Sequence, residues 1–509
     1  MASRLKLSAA PPPKMTVASR PPRVNEDRRL AEEKRSVTIM TAQPDSPLRE
    51  ASEPVVLRKG LKARHMTMIA VGGVIGAGFF LGVGGAIAKA GPSVIIAYLA
   101  GGILAFLVLM LLVEMSIGRP VAGSFQRFAF EAFGPRAGFA TGWTYWLAFL
   151  IGPASETIAA GTFLHVWFPS IPIWGFALVV AVLMTVVNLV GVAFFGEVEF
   201  WLSLVKVIAL IAFIIWGAMV VTGAGPQSPT TIHNLVNDGG FAPAGIGGLL
   251  GAMLLVMFSY GGTEAIGTTA EESEHPERDL PRVLRSTLVR ILVLYVASVS
   301  VLMMVLPWQQ AGTSSSPFVD AMNILGGPVA ANVMNIVVLT AALSCIDSGI
   351  YATSRMLFSM SREGYFPAVF AKVSKNNTPR IAIATSTAVL FLGALLYAFA
   401  PEFAYLWLAS FSGFGFMFAW LMIALSQPRM RKILEAEGTL KWKAPGARAA
   451  VVVSVVIILA IFVGQFFIEG GWVMLAAGAI WLLFTMAYYQ VSGKKRFLMT
   501  QKALMSSQS

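Results

Sequence analysis

The stretch GGVIGAG at residues 72–78 interrupts an apolar run that extends over residues 66–88. A second stretch, SYGGTE at residues 259–264, interrupts another apolar run, residues 241–270. Glycine weakens a helix, and a lipid bilayer has no water to bond the exposed backbone groups. Such interruptions persist at membrane depth only where the freed N–H and C=O groups face protein or a water-filled cavity. The two stretches therefore predict an internal binding site, which is typical of a transporter.

The composition around these stretches indicates a polytopic membrane protein. Of the 509 residues, 56% are hydrophobic and 13% are charged, whereas about 25% are charged in soluble domains. A membrane-spanning helix needs about 20 apolar residues, and the runs do not alternate as the strands of a β-barrel do. The sequence predicts an all-α membrane protein with twelve transmembrane helices. The predicted spans are 66–88, 92–115, 137–166, 171–195, 199–222, 241–270, 286–306, 328–360, 380–400, 403–427, 447–468 and 471–492.

The net charge of +12 follows the predicted topology. Arg and Lys are concentrated in the loops after predicted spans 2, 6, 8 and 10, whereas the loops on the opposite side contain only Lys89. Because positive residues remain on the cytoplasmic side, we expect a multi-pass protein of the cytoplasmic (inner) membrane with both termini in the cytoplasm. The charge therefore predicts no nucleic-acid partner.

The ends of the chain and its few metal-ligating residues give further expectations. Residues 1–56 are rich in Pro, Arg, Ser and Glu and predict a disordered cytoplasmic tail. Met40 is a plausible alternative start, and the first 39 residues are interpreted as an artefact of the assigned start. Residues 57–492 form the predicted membrane domain, and residues 493–509 a cytoplasmic C-terminal tail. A single cysteine, Cys345, and four separated histidines predict no metal site, and we expect no cofactor.

Charged residues within the predicted spans are candidates for function, since each costs at least about 2.5 kcal/mol to insert. Four of them lie deep: Glu156, Lys206, Glu264 and Asp347. Three others lie near the ends of spans, where we attribute them to snorkelling: Glu114, Arg290 and Arg355.

Each deep charge has a structural and a functional interpretation. Lys206 either snorkels toward the cytoplasm or is a desolvated amine that carries a proton. Glu264 either is a protonated carboxyl that hydrogen-bonds to loose backbone carbonyls at the second interruption or takes part directly in transport. Glu156 either ties its helix to a neighbouring span or participates in coupling. The aromatic residues Phe258 and Tyr260 flank the second interruption and serve either packing or gating.

The order and spacing of several motifs resemble the amino acid–polyamine–organocation superfamily, and within it bacterial permeases for GABA, lysine and proline. The resemblance extends from residue 57 to about residue 492. The motifs that carry it are LKARHMT (61–67) before GVIGAG (73–78), EM (114–115) before PVAGSF (120–125), GEVEFW (196–201), GTE (262–264) through EES (271–273) and PE (276–277), and SRML (354–357).

The resemblance implies a LeuT-like fold, with spans 1–5 and 6–10 as a 5+5 inverted repeat followed by two C-terminal helices. The interrupted spans 1 and 6 are five spans apart, as such a repeat requires. The implied substrate-binding residues are Val74, Ile75, Gly76, Ala77, Gly78, Phe258, Ser259, Tyr260 and Gly261. The substrate's carboxylate would lie on the backbone of residues 76–78, and its amine on carbonyls near residues 74–75 and 258–260. Phe258 matches a gating aromatic residue.

The deep charges Lys206, Glu264, Asp347 and Glu156 are the predicted proton-coupling residues, and the resemblance bears on the first of them. Lys206 matches a lysine proposed to replace sodium in proton-coupled relatives. Asp347 departs from the asparagine that close relatives usually have. The acid either pairs with Lys206, faces the substrate, or is protonated and hydrogen-bonds as asparagine does.

The expected function is therefore import of an amino acid by a secondary active transporter, in symport with a proton. An amino acid exchanger on the same fold is the nearest alternative, and an amino-acid-sensing membrane receptor is a more distant one. An enzyme is not expected, because no nucleophile–base set or metal cluster can be assembled from the motifs. The sequence names neither the amino acid nor an oligomeric state.

Overall fold

The computed structural model describes residues 74–121, 123–190, 195–223, 232–264, 267, 275–362, 364–373, 379–468 and 470–494. These residues belong to one unit, Leu61–Ser509. The predicted N-terminal tail (1–56), most of the predicted C-terminal tail (493–509), and the first two glycines of the 72–78 stretch lie outside the described residues.

The described residues form helices and turns, without a β-strand. The α-helices are α1 (Ala77–Phe80), α2 (Gly82–Ala90), α3 (Val94–Gly118), α4 (Ser124–Phe133), α5 (Pro135–His165), α6 (Ile173–Val190), α7 (Phe195–Val221), α8 (Gly245–Tyr260), α9 (Pro276–Val305), α10 (Trp308–Thr313), α11 (Pro317–Arg362), α12 (Arg380–Phe399), α13 (Ala404–Ala436), α14 (Ala447–Gly464) and α15 (Gly471–Tyr488). Each predicted span overlaps at least one of these helices. The predicted all-α class is confirmed.

Nine helical segments in the described part of the chain are long and apolar enough to cross a membrane, and two shorter apolar helices, α6 and α8, accompany them. The first of the nine, Gly78–Gly118, includes the helices of both predicted spans 1 and 2. Large apolar side chains remain exposed on outward faces, for example Val182, Ile215 and Leu392. Hydrocarbon rather than water is the favourable neighbour for such faces. The count of twelve spans and the inverted repeat stay predictions.

The described residues of both glycine-containing stretches include a turn. Residues 74–76 form a turn before α1, and Leu81 separates α1 from α2. Helix α8 ends at Tyr260, and Gly262 follows with φ of 94°. This left-handed conformation favours glycine, because a Cβ would clash with the backbone there. In α11, Gly327 has φ of 70° just before Pro328, so the helix is kinked at the predicted start of span 8.

Helix α5 lies at the centre of the bundle and packs against α4, α6, α11, α12 and α13. Four of its residues share one face at the helical spacing i, i+3, i+4 and i+7: Phe149, Gly152, Pro153 and Glu156. Helix α11 approaches this face closely, because a Cβ on its Gly349 would lie only 2.2 Å from the Pro153 ring. The close packing fixes the position of α5 beside the interruptions.

Candidate functional site

A cavity of about 70 Å³ lies where the two interruptions meet α5, α11 and α13. Its lining residues are Val74, Gly78, Ala148, Phe149, Gly152, Pro153, Glu156, Phe258, Ser259, Gly261, Cys345, Ser348, Gly349 and Phe416. A volume of this size holds several water molecules. The cavity confirms that the interrupted segments face an internal space.

Side-chain hydroxyls link the two interrupted segments. The Ser259 hydroxyl donates to the Gly78 carbonyl at 2.8 Å. The Tyr295 hydroxyl of α9 lies 3.1 Å from the Val74 carbonyl and 3.0 Å from the Ser259 carbonyl. Because a phenol has a single proton, Tyr295 shares it between the two segments. The interruptions are therefore held together as one structural element.

A carboxylate of the protein lies on the first interrupted segment. The Gly78 N–H donates to Glu156 Oε1 at 2.9 Å, and the Glu156 side chain is 4% exposed. The neighbouring Gly76 N–H instead bonds to the Val74 carbonyl at 3.1 Å. The Gly78 N–H is therefore positioned to donate a hydrogen bond to a carboxylate oxygen.

The ring of Phe258 covers Gly78. A Cβ placed on Gly78 would lie 2.8 Å from Phe258 Cε1 and 2.9 Å from its Cδ1, which is closer than real side chains approach. Phe258 is 8% exposed and lines the cavity. The absence of a side chain at residue 78 thus lets this ring rest on the backbone beside Glu156.

The carbonyls predicted to receive the substrate's amine already have partners. Phe258 accepts from the Gly261 N–H at 3.1 Å, and Tyr260 accepts from the Thr263 hydroxyl at 2.9 Å. A carbonyl oxygen has two lone pairs, so one acceptor position per carbonyl can still serve a ligand. The interrupted backbone is satisfied without a substrate and retains capacity for one.

The predicted substrate-binding residues divide into two groups. Five of them line the cavity: Val74, Gly78, Phe258, Ser259 and Gly261. Three others lie in the same segments but do not line it: Ile75, Gly76 and Tyr260. The side chain of the ninth, Ala77, lies outside the described part of the structure. Tyr260 instead donates its hydroxyl to the Tyr98 carbonyl at 2.8 Å.

Glu264 is fully buried and does not line the cavity. Its carboxylate accepts from the Gly262 N–H at 3.1 Å and from Trp420 Nε1 at 3.1 Å, and it also hydrogen-bonds with Tyr145. These bonds join the second interruption to α13 and α5. The backbone partner of Glu264 is thus an N–H group rather than one of the carbonyls expected from the sequence.

Lys206 and Asp347 lie outside the cavity lining as well. Lys206 is fully buried, and its Nζ donates to the Ser344 hydroxyl of α11 at 2.9 Å. Asp347, one turn further along α11, accepts from Asn188 Nδ2 of α6 at 2.6 Å. Lys206 therefore contacts α11 one turn from Asp347, and the pairing of the two residues stays a prediction.

Eight lining residues were not among the predicted site residues: Ala148, Phe149, Gly152, Pro153, Phe416, Cys345, Ser348 and Gly349. The last three follow the spacing i, i+3, i+4 on α11, which places them on one helical face. The Ser348 hydroxyl is buried and has no hydrogen-bond partner among the described residues. This spacing, matched to that of α5, was the available signal.

Glu114 contradicts the snorkelling interpretation, because its side chain is fully buried. Its carboxylate accepts from Arg431 Nε at 2.7 Å and also from Arg431 Nη2. It further accepts from Gln427 Nε2 at 2.7 Å and from the Ala444 N–H at 2.7 Å. The physical reason is that α13 continues beyond the predicted end of its span and covers the end of α3.

Within the described ranges, no group of three or more His, Cys, Asp and Glu residues is placed to hold a metal ion. The chemistry of the cavity is therefore built from backbone groups, hydroxyls, aromatic rings and Glu156.

Comparison with known proteins points to amino acid permeases. A family model described as "Amino acid permease" matches residues 65–501. An uncharacterized amino acid permease of Bacillus subtilis, YtnA, is 38% identical over 441 residues, which cover 86% of this chain and 95% of the relative. The gamma-aminobutyric acid permease of B. subtilis is 41% identical (74% of this chain, 81% of the relative). The aromatic amino acid transport protein AroP of Escherichia coli K12 is 40% identical (75% of this chain, 84% of the relative).

Proposed function

Because this chain belongs to the amino acid permease family, we propose that it is a secondary active transporter that imports an amino acid across the cytoplasmic membrane in symport with a proton. The observation that carries this proposal is the cavity between the two interrupted segments, with a carboxylate bound to the Gly78 N–H. In the proposed mode, the substrate's carboxylate binds there and its ammonium group binds the carbonyls of the second interruption.

The lining of the cavity supports a substrate with an uncharged side chain. Three aromatic rings, those of Phe149, Phe258 and Phe416, line it, and Ser348 offers a buried hydroxyl. The charged residue of the described lining is Glu156, which binds the Gly78 N–H proposed for the substrate's carboxylate. Relatives are named as carriers of aromatic amino acids and of gamma-aminobutyric acid. We therefore place aromatic and other neutral amino acids, together with GABA, first among candidate substrates.

Proton coupling is assigned to buried charges outside the lining. Lys206 lies behind the cavity wall, bonded to Ser344, which directly precedes the lining residue Cys345. A buried amine is costly when charged and therefore suits a reversible proton carrier. Asp347, one turn from Ser344, is proposed to act together with this lysine, whereas Glu264 holds the second interruption in place.

Alternating access is proposed to follow the LeuT-like pattern, in which spans 1, 2, 6 and 7 rock against the remainder. The bonds from Tyr295 of span 7 and Ser259 of span 6 to the span 1 segment support this grouping. Both termini are proposed to lie in the cytoplasm, on the positively charged side of the bundle.

Uptake by purified protein in empty liposomes tests the proposal. We expect radiolabelled L-phenylalanine, GABA, L-proline or L-lysine to accumulate when the interior is made alkaline, and accumulation to stop when a protonophore is added. A requirement for internal amino acid would instead identify an exchanger. Undiminished uptake by a chain that begins at residue 57 would argue against a receptor whose output is the N-terminal tail.

A further inference from the structure

Glu156 occupies the position that the proposed function reserves for the substrate. Its Oε1 accepts the Gly78 N–H at 2.9 Å and would lie 3.0 Å from a Cβ on Gly76. The same side chain lines the cavity and is 4% exposed. A carboxylate of the protein therefore binds the backbone donor to which the carboxylate of an amino acid is expected to bind.

A single N–H cannot serve two carboxylates equally well, so an incoming substrate has to displace Glu156 from Gly78. Glu156 is held by α5, whose face is fixed by the close contact between Pro153 and Gly349. The displaced carboxylate therefore remains in the cavity, close to the carboxylate of the substrate. In a cavity this small, two such charges lie close together and repel each other.

The described lining residues contain no positive charge that could neutralise the pair. The groups that interact electrostatically with Glu156 include the hydroxyls of Tyr295 and Tyr405, which are neutral phenols. Within the described lining, a cation carried by the ligand can supply the compensating charge. The ammonium group of an amino acid is a cation held next to the ligand's own carboxylate.

We propose that Glu156 is an internal competitor for the substrate's carboxylate, and that its displacement makes the cavity select ligands that carry an ammonium group. This inference rests on the proposed function. It assigns Glu156 a role in specificity, in addition to any role in proton coupling. A carboxylate without an amine is rejected because it brings a second anion beside Glu156 with no cation of its own. An amine without a carboxylate can bind Glu156 but leaves Gly78 to its internal partner.

Binding of two ligand triads to purified protein tests the inference. The first triad is L-phenylalanine, 3-phenylpropionate and 2-phenylethylamine; the second is GABA, butyrate and butylamine. In wild-type protein we expect the amino acid of the transported triad to bind at least about tenfold more tightly than its amine-free analogue, as expected for a bond to a charged group. In Glu156→Gln this ratio falls by about tenfold, because the competitor has lost its charge.

The direction in which the affinity for each ligand changes distinguishes a role of Glu156 in specificity from a purely structural role. In Glu156→Gln the amine-free acid binds more tightly than in wild-type protein, while the carboxylate-free amine binds more weakly. Glu156→Asp, which keeps the charge, retains the wild-type order of the three ligands. Glu402→Gln removes an exposed carboxylate outside the cavity lining and serves as the matched control, with no change in any ratio.

Three results would overturn the inference. Parallel weakening of all three ligands in Glu156→Gln would identify Glu156 as a structural tie between α5 and the first interruption. An unchanged ratio in folded Glu156→Gln would exclude it as a competitor. Failure of wild-type protein to bind either amino acid, or any other in the uptake panel, would reject the proposed function itself and the inference with it.

Discussion

Adding one methyl group at Gly78 should weaken substrate binding without unfolding the protein. A Cβ at this residue would lie 2.8 Å from Phe258 Cε1, which is 0.6 Å below the 3.4 Å of an ordinary contact. The ring then has to shift toward the cavity that it lines. Overpacking of this kind costs about 1–3 kcal/mol, which corresponds to an increase of about 5- to 150-fold in Kd.

The experiment compares Gly78→Ala with Gly247→Ala. Gly247 lies on α8, the same helix as Phe258, and a Cβ there would meet no atom within 4 Å. Kd is measured with the amino acid that gives the largest uptake, on protein whose thermal unfolding is unchanged. The double variant Gly78→Ala/Phe258→Ala should show a coupling of at least about 1 kcal/mol, because the clash is removed. Wild-type Kd in folded Gly78→Ala would refute the argument, since the ring would then be free to move.

Three further substitutions test the residues around the site. Lys206→Ala should retain substrate binding, because the residue does not line the cavity, and should lose accumulation driven by a pH gradient; undiminished uphill uptake would contradict a carrier role. Asp347→Asn should keep the substrate spectrum and change the pH profile of transport, since the variant lacks the acid that is proposed to act together with Lys206; a changed spectrum would place Asp347 at the substrate. Glu114→Ala should lower the free energy of unfolding by about 3 kcal/mol, because Arg431 loses its buried partner. The control variant Glu435→Ala breaks an exposed pair and should change the free energy of unfolding by less than about 0.5 kcal/mol. Equal shifts in the thermal unfolding of the two variants would contradict this prediction.

The positions of the helices and of both interruptions could be predicted because they depend on local signals. Hydrophobic runs mark the spans, and glycine marks the residues where a helix is weak. The conformation of Gly262 and the turn before Ala77 follow from those signals directly. Helical spacing could also have identified Ser348 and Phe149 as cavity residues once α5 and α11 were known to face each other.

The partners of buried charges could not be predicted in the same way. The bond between Gly78 and Glu156 joins residues separated by 78 positions, and it depends on the face that α5 turns toward the first interruption. Glu114 was misjudged for a related reason. Hydropathy ends span 10 near Gln427, but the helix continues to Ala436 and places Arg431 one turn further on the same face. A run of polar residues can thus extend a helix that covers a charge.

The two ends of an amino acid each have an internal substitute in this site. The Glu156 carboxylate binds the Gly78 N–H, and the Tyr295 hydroxyl lies within hydrogen-bonding distance of carbonyls from both interruptions. Unpaired backbone groups at membrane depth would each cost several kcal/mol, so side chains of the site have to supply hydrogen-bond partners for these groups. Side chains can swing away, whereas backbone partners cannot without unfolding a helix. In the proposed mode, the site exchanges its own carboxylate and hydroxyl for the carboxylate and the ammonium group of an arriving amino acid, while its backbone stays hydrogen-bonded.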